Sequence, residues 1–262
     1  MGPVSENRVL VERRGQVLLI GLNRPEKRNA ADLAMLHELA QAYTLLHTDA
    51  ELRAGVVHGI GEHFTAGLDL RDVGPGLISG SLDLLPPGTV DPWGLLTDPV
   101  AKPVVVAVQG TCLTLGIELA LAADVVVAAE GTRFAQLEVA RGIMAFGGAT
   151  VRLPRLGWGD AMRWLLTGDF FDAAEAHRIG LVQQIVPAGT QLDAALQLAE
   201  RIAAQAPLAV QASLANARLA QADPQAAASR LHPVVAMLAG TQDARRAVAA
   251  YLSGDPVRFE GH

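Results

Sequence analysis

The chain has 262 residues, of which 50% are hydrophobic, 18% are charged and 4% are aromatic. This composition is typical of a globular protein and excludes extensive disorder, which needs low hydrophobicity and high charge. The formal net charge of −6, without any dense run of Lys or Arg, argues against a nucleic-acid-binding surface. The length fits one large α/β domain or such a domain with an appended helical region.

Cysteine and histidine usage limits the chemistry. Cys112 is the only cysteine, so no intramolecular disulfide and no site built on several thiolates can form. It is interpreted as a small buried hydrophobic residue, and the seven histidines show no metal-binding spacing. The polar stretch 1–7 lacks the apolar core of a signal peptide, and the longest apolar run, Val104 to Val108, is too short to cross a bilayer. We therefore expect a protein of the reducing cytoplasm.

The first third of the chain predicts a hairpin, a helix and a strand. Two apolar runs, 9–11 and 16–22, flank Arg14-Gly15, which is typical of strand, turn and strand. Helical spacing of apolar residues predicts an amphipathic helix over 31–47, carried by Leu33, Leu36, Leu39, Tyr43 and Leu46. A short strand is predicted over 54–60.

The middle of the chain alternates between strands and helices. After a loop at 62–67 and a helix beginning near Leu68, the segment 73–99 is rich in Gly, Pro and Ser and predicts a mobile surface segment or a substrate-covering loop. Buried strands are predicted over 103–108 and 125–127, with a small-residue helix over 116–123 between them. This alternation favours an α/β fold.

The last part of the chain is predicted to be helical. From Gln191 to about Tyr251 the pattern is helical, with Pro207, Pro224 and Pro233 as helix starts or breaks. This predicts a core over residues 1–190 and a helical region over 191–262. Gly59-Ile60-Gly61 lacks the third glycine of a dinucleotide-binding loop, which argues against a Rossmann fold.

Two segments offer backbone N–H groups that could stabilise negative charge on a carbonyl oxygen. In the first, 64–69, Gly67 permits a close turn and leaves the Leu68 N–H free. In the second, 110–118, a helix that starts near Leu115 has first N–H groups without intrahelical partners.

At these segments the sequence resembles the crotonase (enoyl-CoA hydratase/isomerase) superfamily. Asn23 to Ala30 resembles that family's early coenzyme A-binding segment, and Phe64 to Asp69 resembles its first oxyanion loop. Gly110 to Asp124 is similar to the second oxyanion segment with its helix, and Phe134 to Thr150 is similar to the segment of the second glutamate. The segments follow one another in the family's order over nearly the whole chain. The implied fold is crotonase-like α/β with repeated ββα units and a C-terminal helical trimerisation region.

The resemblance assigns roles residue by residue. The oxyanion donors fall on the backbone N–H groups of Leu68 and Leu115, and the two glutamates of the family's hydratases fall on Glu118 and Glu138. Contacts with the acyl-CoA are assigned to Lys27, Arg28, Ala30, Ala66, Gly67, Asp69, Arg71 and Gly116.

The implied activity is addition of water across a trans-2-enoyl-CoA. Glu118 would deprotonate the water, the thioester oxygen would become enolate-like, and Glu138 would protonate the α-carbon, with no metal and no redox cofactor. Isomerases of the family typically rely on the later glutamate alone, so the presence of both favours a hydratase. Family members assemble as trimers and hexamers, and the same is expected here.

The sequence departs from the family pattern at three places. Thr114-Leu115 stands where two glycines are usual, Leu137 replaces a proline, and Ala145-Phe146 replaces a Pro-Gly pair. The Thr114-Leu115 change predicts an oxyanion hole that is lined by bulkier side chains and whose backbone has less conformational freedom.

Alternatives stay open for individual residues. Glu118 could be a solvated surface charge, and Glu138 could be a loop carboxylate paired with Arg133 or Arg141. Arg71 could contact coenzyme A phosphates or be an ordinary solvated arginine, and His63 fits a polar loop residue better than a general base.

Other functions also stay open. These are a sister activity of the family, namely isomerase, hydrolase or decarboxylase, and an acyl-CoA-binding homologue without catalysis.

Overall fold

The computed structural model describes residues 7–262, so the first six residues of the polar N-terminal stretch lie outside it. Nine strands are numbered in chain order: β1 Val9–Arg14, β2 Val17–Leu22, β3 Ala54–Gly59, β4 Val104–Val108, β5 Thr111–Leu113, β6 Val125–Ala129, β7 Arg133–Ala135, β8 Phe171–Asp172 and β9 Gln184–Val186. Ten α-helices are numbered likewise: α1 Leu33–Thr48, α2 Leu70–Ser79, α3 Leu115–Ala122, α4 Ala149–Arg152, α5 Trp158–Thr167, α6 Ala173–Arg178, α7 Gln191–Ala203, α8 Pro207–Ala222, α9 Pro224–Ala239 and α10 Gln242–Ser253.

A six-stranded sheet forms the centre of the fold, in the order β1-β2-β3-β4-β6-β9. β1 and β2 form the predicted antiparallel hairpin, turning at Gly15 with φ +57°. The other neighbours are parallel, and β2 and β4 are buried along their whole length. Apolar clusters cover both faces of the sheet, which explains why these strands are continuous hydrophobic runs.

A second, three-stranded sheet is built from β5, β7 and β8. Along the chain, β4 of the large sheet is followed by β5 of the small sheet and then by α3. The next unit repeats this order with β6, β7 and α4. This arrangement confirms the predicted α/β fold of repeated ββα units.

The helices after Gln191 differ in how they pack. α7 covers one face of the large sheet, where Ala195, Leu196 and Ala199 contact the buried strands. α8 has no buried residue, α9 has only Ala227, and α10 has only Asp243. α7 begins at Gln191, the first residue of the predicted helical region, and the packing changes only after this helix, so the division at residue 190 stays a prediction.

Two expectations need correction. Pro233 lies inside α9 and neither starts nor ends a helix. The proline removes one backbone hydrogen bond of α9, and packing against α8 keeps the helix continuous at this point. The segment 73–99, predicted as a mobile surface segment or a substrate-covering loop, differs from this prediction in its first part, which is helical to Ser79, whereas residues 80–99 contain no helix or strand. It begins within α2, and further on the Asp91 carboxylate accepts hydrogen bonds from the Trp93, Leu95 and Leu96 N–H groups. Within residues 7–262, no helix is long and apolar enough to span a membrane.

Candidate active site

The first predicted donor, the Leu68 N–H, lies in a loop pinned on both sides. Ala31 N donates to Gly67 O at 2.8 Å, and Asp69 N donates to Ala31 O at 2.8 Å. Gly67 turns the loop with φ +92°, which favours glycine. Between these fixed neighbours, the Leu68 N–H donates to no acceptor within the described residues. It is therefore available to a ligand.

The second predicted donor, the Leu115 N–H, opens α3, as expected from the sequence. An N–H in the first turn of a helix has no intrahelical partner and carries the positive end of the helix dipole. The preceding residue, Thr114, has φ 47° and ψ −112°. For a β-branched residue this is an outlier that costs about 1–3 kcal/mol and persists only when its surroundings fix it.

Several contacts bring the two donors to one place. Thr65 N donates to Thr111 O and Leu113 N donates to Thr65 O, both at 3.1 Å, so the first loop pairs with β5. Gly116 makes the approach possible, because a Cβ there would lie 2.5 Å from Thr65 Cγ2. Its predicted role in substrate contact is thus accompanied by a packing role.

The two donor residues, Thr114 and both glutamates line one cavity of about 20 Å³. Its remaining walls are Leu70, Arg141, Ile143 and Phe146. A cavity of this size holds about one water molecule. An acyl-CoA, which is the ligand that the resemblance implies, needs more room than this, so its binding would require these wall side chains to shift.

Glu118 is a buried acid of this cavity, with 3% of its surface exposed. The solvated alternative is therefore wrong. Its Oε1 accepts a hydrogen bond from Ala149 N at 3.1 Å. Burial raises the pKa of Glu118 to about 7, and the negative charge of Glu138 adds to this effect.

Glu138 is also buried, with 6% exposed, and burial raises its pKa above the usual range. Within residues 7–262 it forms no ion pair with Arg133 or Arg141, so the alternative of a paired loop carboxylate is wrong. Arg133 lies over the Phe170 ring instead.

Gln136 is a site residue that sequence reasoning missed. It is 1% exposed, with hydrogen-bond acceptors on one side of its amide and donors on the other, so its nitrogen is assigned to the side of the acceptors. In this orientation it donates to both Glu138 carboxylate oxygens, at 3.2 and 3.3 Å, and to Thr114 O at 3.3 Å. The only sequence signal was its position two residues before Glu138.

The predicted coenzyme A-binding segment packs beside the first oxyanion loop. Lys27 and Arg28 are exposed, Ala30 is half-buried, and Ala66 N donates to Arg28 O at 2.9 Å. Asn29, which sequence reasoning also missed, is fully buried in a left-handed conformation with φ 53°. Its amide donates to Ile60 O at 3.0 Å and to His63 O at 2.8 Å, which holds the segment in place.

Asp69 and Arg71 occupy the start of α2. Asp69 caps this helix and forms an ion pair with Arg24 at 2.7 Å, which lowers the pKa of its carboxyl. This ion pair ties the predicted coenzyme A-binding segment to the predicted oxyanion loop. Arg71 is exposed, and none of its side-chain atoms forms an ion pair within residues 7–262.

Neither Cys112 nor His63 lines the cavity. Cys112 is fully buried, and burial raises the pKa of its thiol, as expected for a small core residue. Among the described residues, no group of three or more His, Cys, Asp or Glu is placed to hold a metal ion.

A larger cavity of about 720 Å³ lies elsewhere, between the end of α3 and α8. Arg152, Arg155 and Arg218 line it, and neither Glu118 nor Glu138 reaches it. Both predicted catalytic glutamates therefore line the smaller cavity and not the larger one.

Repeated ββα units that bring Leu68, Leu115 and two buried carboxyls to one cavity are typical of a protein of the crotonase class. The family model described as enoyl-CoA hydratase/isomerase matches residues 12–262. The chain therefore belongs to the enoyl-CoA hydratase/isomerase family.

Individual relatives match this chain over nearly their full length. A 2,3-dehydroadipyl-CoA hydratase of Escherichia coli is 35% identical over 97% of this chain and 98% of its own. A crystal structure of a probable enoyl-CoA hydratase/isomerase from Mycobacterium abscessus is 53% identical, with a TM-score of 0.94 over 97% of this chain and 99% of its own. An enoyl-CoA hydratase structure from Mycobacterium tuberculosis is 36% identical, with a TM-score of 0.89 over 98% of this chain and 100% of its own.

Proposed function

We propose that this protein is an enoyl-CoA hydratase that adds water across trans-2-enoyl-CoA thioesters. The observation that carries the proposal is one cavity lined by two residues with unpartnered N–H groups and by two buried glutamates. The names of the relatives, several of which are hydratases, support the same activity. Since Glu118 is buried in the cavity, hydration is favoured over isomerisation, for which the later glutamate suffices.

In the proposed mechanism, the thioester oxygen accepts hydrogen bonds from the Leu68 and Leu115 N–H groups. Glu118 in its ionised form takes a proton from the water that attacks the β-carbon. Negative charge then develops on the thioester oxygen, where the paired donors stabilise it. Glu138 delivers a proton to the α-carbon, which completes the addition.

The titration of the Glu118 and Glu138 carboxyls is coupled, which bears on these two proton transfers. Burial raises both pKa values, and the charge of Glu138 raises that of Glu118, so the pair titrates as a unit. A pair that holds a single proton supplies one ionised base and one neutral acid, and the proposed mechanism requires this proton to lie on Glu138 when the substrate is bound. This chemistry needs no metal and no redox cofactor.

Substrate contacts and assembly are part of the same proposal. Lys27, Arg28 and Arg71 are exposed near the oxyanion loop, where they are available to coenzyme A phosphates. A homotrimer or homohexamer is supported by exposed apolar side chains on α8 to α10, namely Leu208, Leu231, Val235, Met237, Val248, Tyr251 and Leu252. A cytoplasmic location stays a prediction.

The test is hydration of crotonyl-CoA and of a panel of longer trans-2-enoyl-CoAs. The reaction is measured as the loss of absorbance of the conjugated thioester. We expect turnover, and a Glu118→Gln variant slower by about 100-fold or more. The exposed Glu51→Gln serves as matched control. Undiminished hydration by Glu118→Gln would refute the role in water activation.

The panel also separates the remaining functions. Binding of acyl-CoA without turnover of any enoyl-CoA would favour the non-catalytic homologue. Double-bond migration, thioester cleavage or loss of CO2 in place of hydration would identify one of the sister activities.

A further inference from the structure

Thr114 holds a conformation that its side chain disfavours. Its φ of 47° lies in the left-handed region, where a β-branched residue is strained. Three hydrogen bonds fix its backbone: its N–H donates to Ala135 O at 2.9 Å, and its carbonyl accepts from Glu118 N at 3.2 Å and from the Gln136 amide at 3.3 Å. Strain that the surroundings enforce in this way is common at functional sites.

The Thr114 side chain lies close to the residues that carry the two predicted oxyanion donors. Thr114 directly precedes Leu115, which carries the second donor. Its Oγ1 lies against Gly67, because a Cβ built on Gly67 would overlap that oxygen, and Gly67 directly precedes the first donor, Leu68. The Thr114 hydroxyl therefore contacts Gly67, the residue before the Leu68 donor, and is carried by the residue before the Leu115 donor.

The Thr114 hydroxyl is also unused. Within residues 7–262 it neither donates nor accepts a hydrogen bond, although Thr114 is 5% exposed and lines the catalytic cavity. Other threonine hydroxyls nearby are used: the Thr65 hydroxyl donates to Asn29 O at 2.6 Å and accepts from Gly67 N at 3.1 Å. The Thr114 proton is thus free for a ligand in the cavity.

We propose that the Thr114 hydroxyl is a third hydrogen-bond donor of the oxyanion hole and contacts the thioester oxygen of a bound acyl-CoA. This inference rests on the proposed function only in requiring that an acyl-CoA thioester binds in the cavity. A side-chain donor adds to the two backbone donors at the point where charge develops. Unlike them, it can be removed by substitution.

The first experiment compares Thr114→Val, Thr114→Ser and Thr114→Gly with the wild type on a trans-2-enoyl-CoA substrate. Thr114→Val keeps the shape and the β-branch but lacks the hydroxyl, so kcat should fall by about tenfold to 100-fold with little change in KM. Thr114→Ser keeps the hydroxyl and should retain activity within about threefold of the wild type. Thr48→Val, at an exposed threonine on α1, is the control.

Thr114→Gly separates catalysis from strain. Glycine relieves the strained backbone, so this variant should melt at or above the wild-type temperature while losing kcat as the valine variant does. A merely structural threonine would give the reverse pattern: activity kept in Thr114→Val, with changes confined to stability.

A spectroscopic readout is independent of turnover. Isotope-edited infrared spectra of bound butyryl-CoA, labelled with ¹³C at the thioester carbonyl, report the hydrogen bonds to that oxygen. The carbonyl band should shift to lower frequency on binding to the wild type and to Thr114→Ser, and shift less with Thr114→Val.

The outcomes distinguish this inference from the proposed function. Equal shifts in the wild type and Thr114→Val would overturn the inference and leave the hydratase proposal intact. A band difference without hydration of any enoyl-CoA would support the third donor and overturn the hydratase activity. Failure of butyryl-CoA to bind at all would overturn both.

Discussion

The Glu118 carboxylate lies directly against the Cα of Gly147, where a Cβ would come 2.5 Å from Glu118 Oε2 and 2.9 Å from its Cδ. The same carboxylate accepts a hydrogen bond from Ala149 N, two residues further on. The glycine-containing loop before α4 thus sets the position of the acid, and it can do so only because residue 147 has no side chain.

Gly147→Ala should therefore impair catalysis more than folding. The added methyl group pushes the Glu118 carboxylate out of position, and a displacement of about 1 Å can cost on the order of 100-fold in rate. We expect kcat for enoyl-CoA hydration to fall by about that factor in steady-state assays. Gly159→Ala on α5, where a Cβ meets nothing within 4 Å, is the matched control and should keep full activity. Equal activity of the two variants would contradict this placement of Glu118.

Replacing Glu118 by glutamine should change how stability depends on pH. Burial raises the pKa of Glu118 to about 7, whereas its ordinary value is 4.5. Between these two values the folded protein binds more protons than the unfolded chain, so this group makes stability fall as pH rises through the window. The shift corresponds to a destabilisation of about 3 kcal/mol above pH 7.

Urea unfolding of Glu118→Gln at pH 4.5 and pH 8 checks this effect. The variant should resemble the wild type at pH 4.5 and be the more stable protein at pH 8, by up to about 3 kcal/mol. The exposed Glu51→Gln should show no such gain. A Glu118→Gln protein that is less stable than the wild type at both pH values would show that Glu118 is not a destabilising buried acid.

Gln136→Leu should alter the titration of Glu138. Leucine removes the amide that donates to both oxygens of the Glu138 carboxylate, and losing donors to the charged form raises the pKa of an acid. Because Glu138 acts as the acid in the proposed mechanism, the alkaline limb of the kcat/KM profile should move to higher pH, and kcat should fall. Gln205→Leu on the protein surface is the control. An unmoved alkaline limb would argue that Gln136 serves packing alone.

Local sequence patterns determined the elements that frame the site. The apolar runs of β2 and β4 predicted buried strands because both of their faces are covered. The start of α3 at Leu115 and the apolar neighbours of Glu118 were visible at short range, and the structure confirms both the helix start and the burial. Resemblance to the family supplied the pairing of Glu118 with Glu138, which no local pattern contains.

Only the tertiary structure decided how these elements meet. That Gln136 faces Glu138, that the Thr114 hydroxyl rests on Gly67, and that Pro233 stays within α9 all depend on which segments pack together. The contact between Thr114 and Gly67 joins residues far apart in the chain, and the energies of tertiary packing exceed local preferences: a threonine is held at φ 47° and a proline inside a helix. Periodicity and propensity report what a segment prefers by itself, whereas the active site is formed by what neighbouring segments impose on it.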